Sequence, residues 1–440
     1  MRPGWPLVAM LGLYPLWWLL GLGAFAFIVF AVPMAVDLGR RRRLTVPPGF
    51  GFWLLFLLWA AGSLLMFPLS PPSTIAGSAG GRALGIALNS ASYLAATTAL
   101  LYVANLPKDE FSQRRLLRLL SALFVVTVAG GLLGVFAPRF QFSAPLETLL
   151  PHSVRSNEYT RALVHPTAAQ IQNVLGGEQG RPAAPFGYAN FWGNNLAILL
   201  PWWIAFMWAG RSRLRKGVAL AVCAVAIVPT LYSLDRALWA ALVVSAAYGL
   251  VRTLSATSLT RAVYVVGAVV VVSILALTPA RTIVAARASH GESNGVRAFL
   301  SRAALEGAEH SPVVGYGGTR KTLGSNRSIA VGPTPACPQC GNFGIGSNGQ
   351  LWLVLFAQGF VGAALYILFF VSILRAFIRD RAPIAIAGSL VILLSLFLMV
   401  FYNALPSALV LTMIGVGAMV RERLVPAAPG SPEHVAPARR

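Results

Sequence analysis

The chain has 440 residues, of which 57% are hydrophobic and only 11% charged, and its mean hydropathy is +0.70. A water-soluble fold of this length has too little interior to hide so much apolar surface, so soluble enzymes and nucleic-acid-binding proteins are excluded and repeated crossing of a bilayer is expected. With a net charge of +22, the informative question is where the cations lie.

A helix needs ~20 mostly apolar residues to cross the hydrocarbon. The opening stretch, Trp5 to Val36, is too long for one ordinary crossing. Its Gly21-Leu22-Gly23 predicts two short helices folded as a hairpin, with one strongly tilted helix as the alternative. Further crossings are expected near 50–68, 84–105, 116–136, 190–209, 217–233, 237–251, 263–279, 350–374, 384–402 and 406–420. The expected fold is an all-α polytopic membrane protein of about twelve transmembrane helices, or eleven with a single opening helix. It forms one unit over 1–424, and a disordered tail rich in Pro and Ala follows over 425–440. No small-residue cleavage site follows the first apolar run, so no removable signal peptide is expected.

Basic clusters fall on every second joint. They are Arg40 to Arg43, Lys108 with Arg114 and Arg115, Arg211 to Lys216, Arg252 and Arg261, Arg375 to Arg381, and Arg421 with Arg423. The positive-inside rule makes that face cytoplasmic and puts the tail there too. Two long extracytoplasmic loops are then expected, at about 137–188 and about 280–348, the second carrying an amphipathic helix. The outer face nevertheless keeps an excess of basic residues, which topology does not explain. All but Lys108, Lys216 and Lys321 of the 35 basic residues are arginine. Guanidinium clamps two phosphate oxygens at once, although a GC-rich genome also enriches arginine.

Three outer segments carry candidate chemistry. The first, Arg181-Pro-Ala-Ala-Pro-Phe-Gly-Tyr-Ala-Asn190, runs into an apolar helix. Asn190 is placed to cap that helix, whose free N–H groups beside Arg181 suit an anion. Asn194 and Asn195 add amides able to bond sugar hydroxyls; an incidental arginine at a capped helix start is the plain alternative. The second segment, Ser233-Leu-Asp235-Arg236-Ala-Leu-Trp239, joins two apolar helices with almost no loop. An ionisable pair at that depth is costly, and it reads either as a functional site or as a mutual salt bridge at a turn. The third runs from Val296 through Glu309-His310-Ser-Pro312-Val-Val-Gly315-Tyr316-Gly317-Gly318. Val296, Phe299, Leu300 and Ala303 give it one apolar face, and His310 at its end is a residue type that takes a proton from a hydroxyl near neutral pH.

The three patterns, Arg-(x)4-Phe-Gly-x-x-Asn, Ser-x-x-Arg-x-x-Trp and His-x-Pro-x-x-Gly-x-Gly, in this order and on one face, resemble the O-antigen ligase/polymerase superfamily. Gly346-Ser347-Asn348-Gly349-Gln350 resembles that family's run into its next helix, with Ser347-Asn348 where the family carries His-Asn. In the second pattern Leu234 and Asp235 separate a serine and arginine that are commonly adjacent. The resemblance implies an inverting glycosyltransferase in the cytoplasmic membrane. It would move a glycan from a polyprenyl (undecaprenyl-type) diphosphate to an acceptor hydroxyl on a glycan or glycolipid, at the outer face, with no cofactor, no metal and no nucleotide sugar. It further implies that Arg181 and Arg236 hold the diphosphate and His310 acts as general base. Arg155, Arg161, Arg320, Asn190, Asn194, Asp235, Gly315, Tyr316, Gly317 and Asn348 become candidate substrate contacts. Polymerisation of lipid-linked repeats is the near alternative. A flippase or exporter of an anionic lipid-linked glycan is the alternative of another class, and a polytopic scaffold leaves the arginines unexplained.

Cys337-Pro-Gln-Cys340 is expected to form an extracytoplasmic disulfide, since a zinc site needs two further ligands that the neighbourhood lacks. Cys223 falls within a crossing and reads as an inert apolar residue.

Overall fold

The computed structural model describes residues 3–71, 74–75, 79–151, 161, 163–173, 178–208, 212–253, 292–322 and 344–424. The crossing expected at 263–279, Arg155, the Cys337/Cys340 pair and the tail 425–440 lie outside the described residues. What is described is a mostly helical membrane protein.

The opening run is broken where its glycine allows. Gly21 turns the chain at φ +76, and Leu22 N–H returns to the Trp17 carbonyl at 2.7 Å. The two arms pack back on each other through Tyr14 against Phe27 and Trp17 against Phe30, with ring centroids 5.5 and 5.2 Å apart. The principal helices follow: α1 Phe50–Ser63, α2 Ala79–Ala104 and α3 Gln113–Phe136. A hairpin of β1 Ala169–Asn173 and β2 Glu178–Pro182 precedes α4 Ala189–Trp208, α5 Arg213–Tyr232 and α6 Arg236–Thr253. The chain continues through α7 Glu292–His310, α8 Gln350–Phe377, α9 Pro383–Leu398 and α10 Ser407–Leu424. Among the described residues, four helices are long and apolar enough to cross a membrane: Gly80–Ala104, Gln113–Phe136, Arg213–Tyr232 and Gln350–Phe377. Outward-facing leucines such as Leu54, Leu55 and Leu58 on α1 stay exposed, as a lipid-facing surface requires.

Basic side chains gather at one end, where Arg252 and Arg423 cap the last carbonyls of α8 and Arg421 holds the loop before α3. Arg252 donates to the Ile378 carbonyl at 2.8 Å and also to that of Asp380. Arg423 donates to the Ala376 carbonyl at 2.6 Å, and Arg421 donates to that of Phe111. Cations suit helix C-termini because the peptide dipoles leave negative charge there. Measured from this basic end at the α-helical rise, Arg236 stands about 24 Å up α6 and Ser407 about 21 Å up α10, whereas α3 continues to about 34 Å. By length, α6 and α10 therefore end short of α3, and the region over their ends, where the turns before each helix lie, is the recess.

Two glycine devices shape that recess. A Cβ on Gly130 or Gly134 of α3 would come within 2.4 Å of the Ala184 carbonyl and 2.6 Å of the Ala168 carbonyl. Their absence lets the β-hairpin lie directly on α3. In α8, Gly359 at φ +69 and ψ −172 breaks the helix. The 312–317 turn seals the break: Phe360 N–H reaches the Pro312 carbonyl, while Tyr316 and Gly317 N–H reach the carbonyls of Phe356 and Ala357. Gly315, at φ +64, is needed because a Cβ there would lie 2.5 Å from the Ala357 carbonyl carbon.

Helix α7 lies against the first arm of α8. The sequence predicts Val296, Phe299, Leu300 and Ala303 as its apolar face. The buried positions are instead Leu300, Ala304 and Ala308, with Gly307 set against the Phe356 ring. The face is rotated because small residues permit a closer approach than Phe299 would.

Candidate functional site

Arg181 is the centre of the recess. β1 and β2 pair in antiparallel register with Gln170 opposite Arg181, so the Gln170 and Gln172 side chains emerge on one face of the hairpin. Gln170 Oε1 accepts from Ala189 N–H at 3.3 Å and thereby fixes the start of α4, while Gln172 Oε1 accepts from Arg181 Nη1 at 2.8 Å. Arg181 Nε donates to the Ser233 carbonyl at 2.6 Å, and Nη2 donates to Asn190 Oδ1 at 3.3 Å. The side chain is buried, 6% exposed. Burial pulls its guanidinium below the ordinary arginine value, and the neighbouring Asp235 opposes that pull. Asn190 therefore does not cap α4 as expected from the sequence. It is the second residue of the helix, and its amide oxygen serves Arg181.

Asp235 approaches from the turn between α5 and α6. Leu234 holds a left-handed conformation, φ +53, and the chain then enters α6 with Asp235 at its N-cap. Asp235 Oδ1 accepts from the Ala237 and Leu238 N–H groups at 3.2 and 3.4 Å. Oδ2 lies 3.9 Å from Arg181 Nη2 and accepts no hydrogen bond among the described residues. The salt bridge at this turn is thus with Arg181 across the recess. Arg236 follows as the first residue of α6, half-buried.

Two residues not singled out in the sequence join this cluster. Tyr402, in the turn after α9, sets its hydroxyl beside the Asp235 carboxylate, close enough to interact with it though short of full hydrogen-bond geometry among the described residues. Arg297, near the start of α7, lies within electrostatic reach of both Arg181 and Tyr402. Its backbone carbonyl accepts from Asn348 Nδ2 at 3.4 Å, and that amide also donates to Ser301 Oγ at 2.9 Å. Asn194 is buried on α4, donates to the Asn403 carbonyl at 3.5 Å and leaves Oδ1 without a partner among the described residues. Asn194 and Tyr402 also line a cavity of about 10 Å³, roughly the room one water needs.

The remaining expected residues sit elsewhere. His310 ends α7 and is exposed; its Nδ1 is 2.7 Å from the Glu306 carbonyl, which can only accept, so Nδ1 is the donor. Thirteen helical residues separate it from Arg297, about 20 Å along the axis. The structure brings Arg181, Asn190, Asp235 and Arg297 together and leaves His310 at the other end of α7. Gly315, Tyr316 and Gly317 form the seal on α8, with Tyr316 stacked on Phe356 at 5.3 Å. Arg320, 2% exposed, spends its guanidinium on carbonyls: Leu69 at 2.6 Å, Phe67 at 2.9 Å and Thr319 at 3.0 Å among them. Burial, with Arg82 nearby, lowers its pKa to about 10. Arg161 is exposed, in the segment between α3 and the β-hairpin. Among the described residues no group of three or more His, Cys, Asp or Glu side chains gathers to hold a metal ion.

No protein-family model matches the sequence, and no curated protein matches it.

Proposed function

We propose that this protein is a membrane-embedded transferase that moves a glycan from a polyprenyl diphosphate carrier to an acceptor hydroxyl at the extracytoplasmic face of the cytoplasmic membrane. One observation carries the reading. Arg181 is buried and fixed by a carbonyl and two side-chain amides, and it has Arg297 within electrostatic reach while Asp235 is the one carboxylate beside them among the described residues. Cations outnumber anions in a site that burial makes sensitive to charge, and a diphosphate ester supplies the missing negative charge. The motif resemblance supports the same class, and the positive-inside rule puts the recess on the outer face.

The chemistry follows from the charges. The acceptor oxygen bonds to the anomeric carbon as the bond from that carbon to the phosphate oxygen breaks. The diphosphate keeps the electron pair, and fixed guanidinium donors stabilise the charge that grows on it. Among the described residues Arg181 donates one N–H of each terminal nitrogen, to Gln172 and to Asn190, which leaves the second of each for this purpose.

The test is purified protein in lipid vesicles with a polyprenyl-diphosphate-linked oligosaccharide, candidate acceptors and a metal chelator. Glycosylated acceptor and free polyprenyl diphosphate are expected in equal amounts. An acceptor that is itself lipid-linked separates polymerase from ligase. Movement of the donor across the vesicle membrane without transfer would replace the reading by an exporter.

A further inference from the structure

Resting on the transferase reading, we propose that Asp235, rather than His310, takes the proton from the acceptor hydroxyl. The carboxylate is divided in its work. Oδ1 is held by the first N–H groups of α6, which fixes the orientation of the group, while Oδ2 is buried beside the Tyr402 hydroxyl and Arg181 and accepts no hydrogen bond of full geometry among the described residues. A buried carboxylate oxygen left without a donor is costly, and an incoming hydroxyl satisfies it. Gly193 packs closely beside that oxygen, and a larger residue would crowd it, because a Cβ there would sit 3.0 Å from Oδ2.

Position agrees with this role. The base must meet the acceptor oxygen beside the anomeric carbon, one bond from the diphosphate, and so must lie close to the groups that hold the diphosphate. Asp235 Oδ2 is 3.9 Å from Arg181 Nη2, while His310 is about 20 Å along α7 from Arg297. Carboxylates do this work in inverting glycoside hydrolysis, where one activates the attacking oxygen opposite the leaving group. In the step proposed here the hydroxyl proton passes to Oδ2 as the new carbon–oxygen bond forms. The proton leaves to solvent once the glycosylated acceptor departs.

The experiment compares Asp235→Asn and His310→Ala with the parent protein, using the polyprenyl-diphosphate oligosaccharide as donor. Asparagine caps a helix as well as aspartate, so Asp235→Asn keeps the turn; Asp235→Ser, also a capping residue, is the second variant should the first not fold. Turnover with a hydroxyl acceptor is expected to fall by a factor of about 10²–10⁴ in Asp235→Asn with donor binding retained. Azide, which attacks without losing a proton, should restore turnover and yield a glycosyl azide. His310→Ala should stay within a few-fold of the parent. Full activity in Asp235→Asn, a loss that azide does not repair, or an equal loss in His310→Ala overturns the assignment. If the parent protein transfers nothing, the transferase reading itself fails, and the assignment falls with it.

Discussion

Replacing Arg181 by alanine removes more than one donor. It takes away the bonds to the Ser233 carbonyl, Gln172 and Asn190, and it leaves Asp235, 3% exposed, without its guanidinium partner. Removing one member of a buried ion pair costs about 3–5 kcal/mol, mostly through the stranded charge. The hydrogen bonds to a charged group, worth about 1.5–3 kcal/mol each, are not additional in full, because Gln172 and Asn190 are half-buried and regain water. A loss of about 3–5 kcal/mol is therefore expected for Arg181→Ala. If the stranded carboxylate dominates, adding Asp235→Asn should return part of that loss, with a coupling of about 1–3 kcal/mol. Equilibrium unfolding of the detergent-solubilised protein, followed by tryptophan fluorescence, measures all four corners of the cycle. Losses that simply add would refute the claim that Arg181 and Asp235 act as a unit.

Two further predictions concern the seal and the orientation. Gly315→Ala should destabilise by more than about 2 kcal/mol, combining a left-handed backbone cost of ~1–2 kcal/mol with a Cβ 2.5 Å from the Ala357 carbonyl carbon. Gly295→Ala on α7, where a Cβ meets nothing within 4 Å, should stabilise by about 0.5 kcal/mol in the same unfolding measurement. With Cys223, Cys337 and Cys340 replaced, a cysteine at Glu178 should react with an impermeant thiol reagent added outside the cell, and one at Arg423 should not; the reverse pattern would invert the topology.

The long apolar helices were readable because each needs only a run of hydrophobic residues: α2, α3, α5 and α8 coincide with expected crossings. The break in α8 was not. Gly359 lies in an uninterrupted apolar run, and the turn that seals it is more than forty residues earlier, so nothing local announces it. For the same reason the Gly315-Tyr316-Gly317 pattern looks like a ligand loop in sequence and is a packing device in space. Arg181 and Asp235 were legible as costly charges near the ends of apolar runs, but their pairing joins a β-hairpin to a helix cap. Tyr402 was hidden because a tyrosine at the end of an apolar run is an ordinary membrane-interface residue. Arg297 carried a weak signal, a cation on the outer helix, and only the docking of α7 on Asn348 gives it a location.

The unequal heights of α3, α6 and α10 have a consequence for how two reactants of opposite habit could meet. Counted along the helices from the basic end, α6 is about 10 Å shorter than α3, which on the proposed function would set the arginines nearer the level of lipid headgroups than that of free solution. A carrier anchored in the bilayer would then reach them by sliding sideways and need not lift its chain out of the hydrocarbon. A sugar acceptor, which no bilayer would admit, would come down from the aqueous side past the β-hairpin and α7. The step between long and short helices thus works as a landing between two solvents, and each reactant arrives at it without leaving its own.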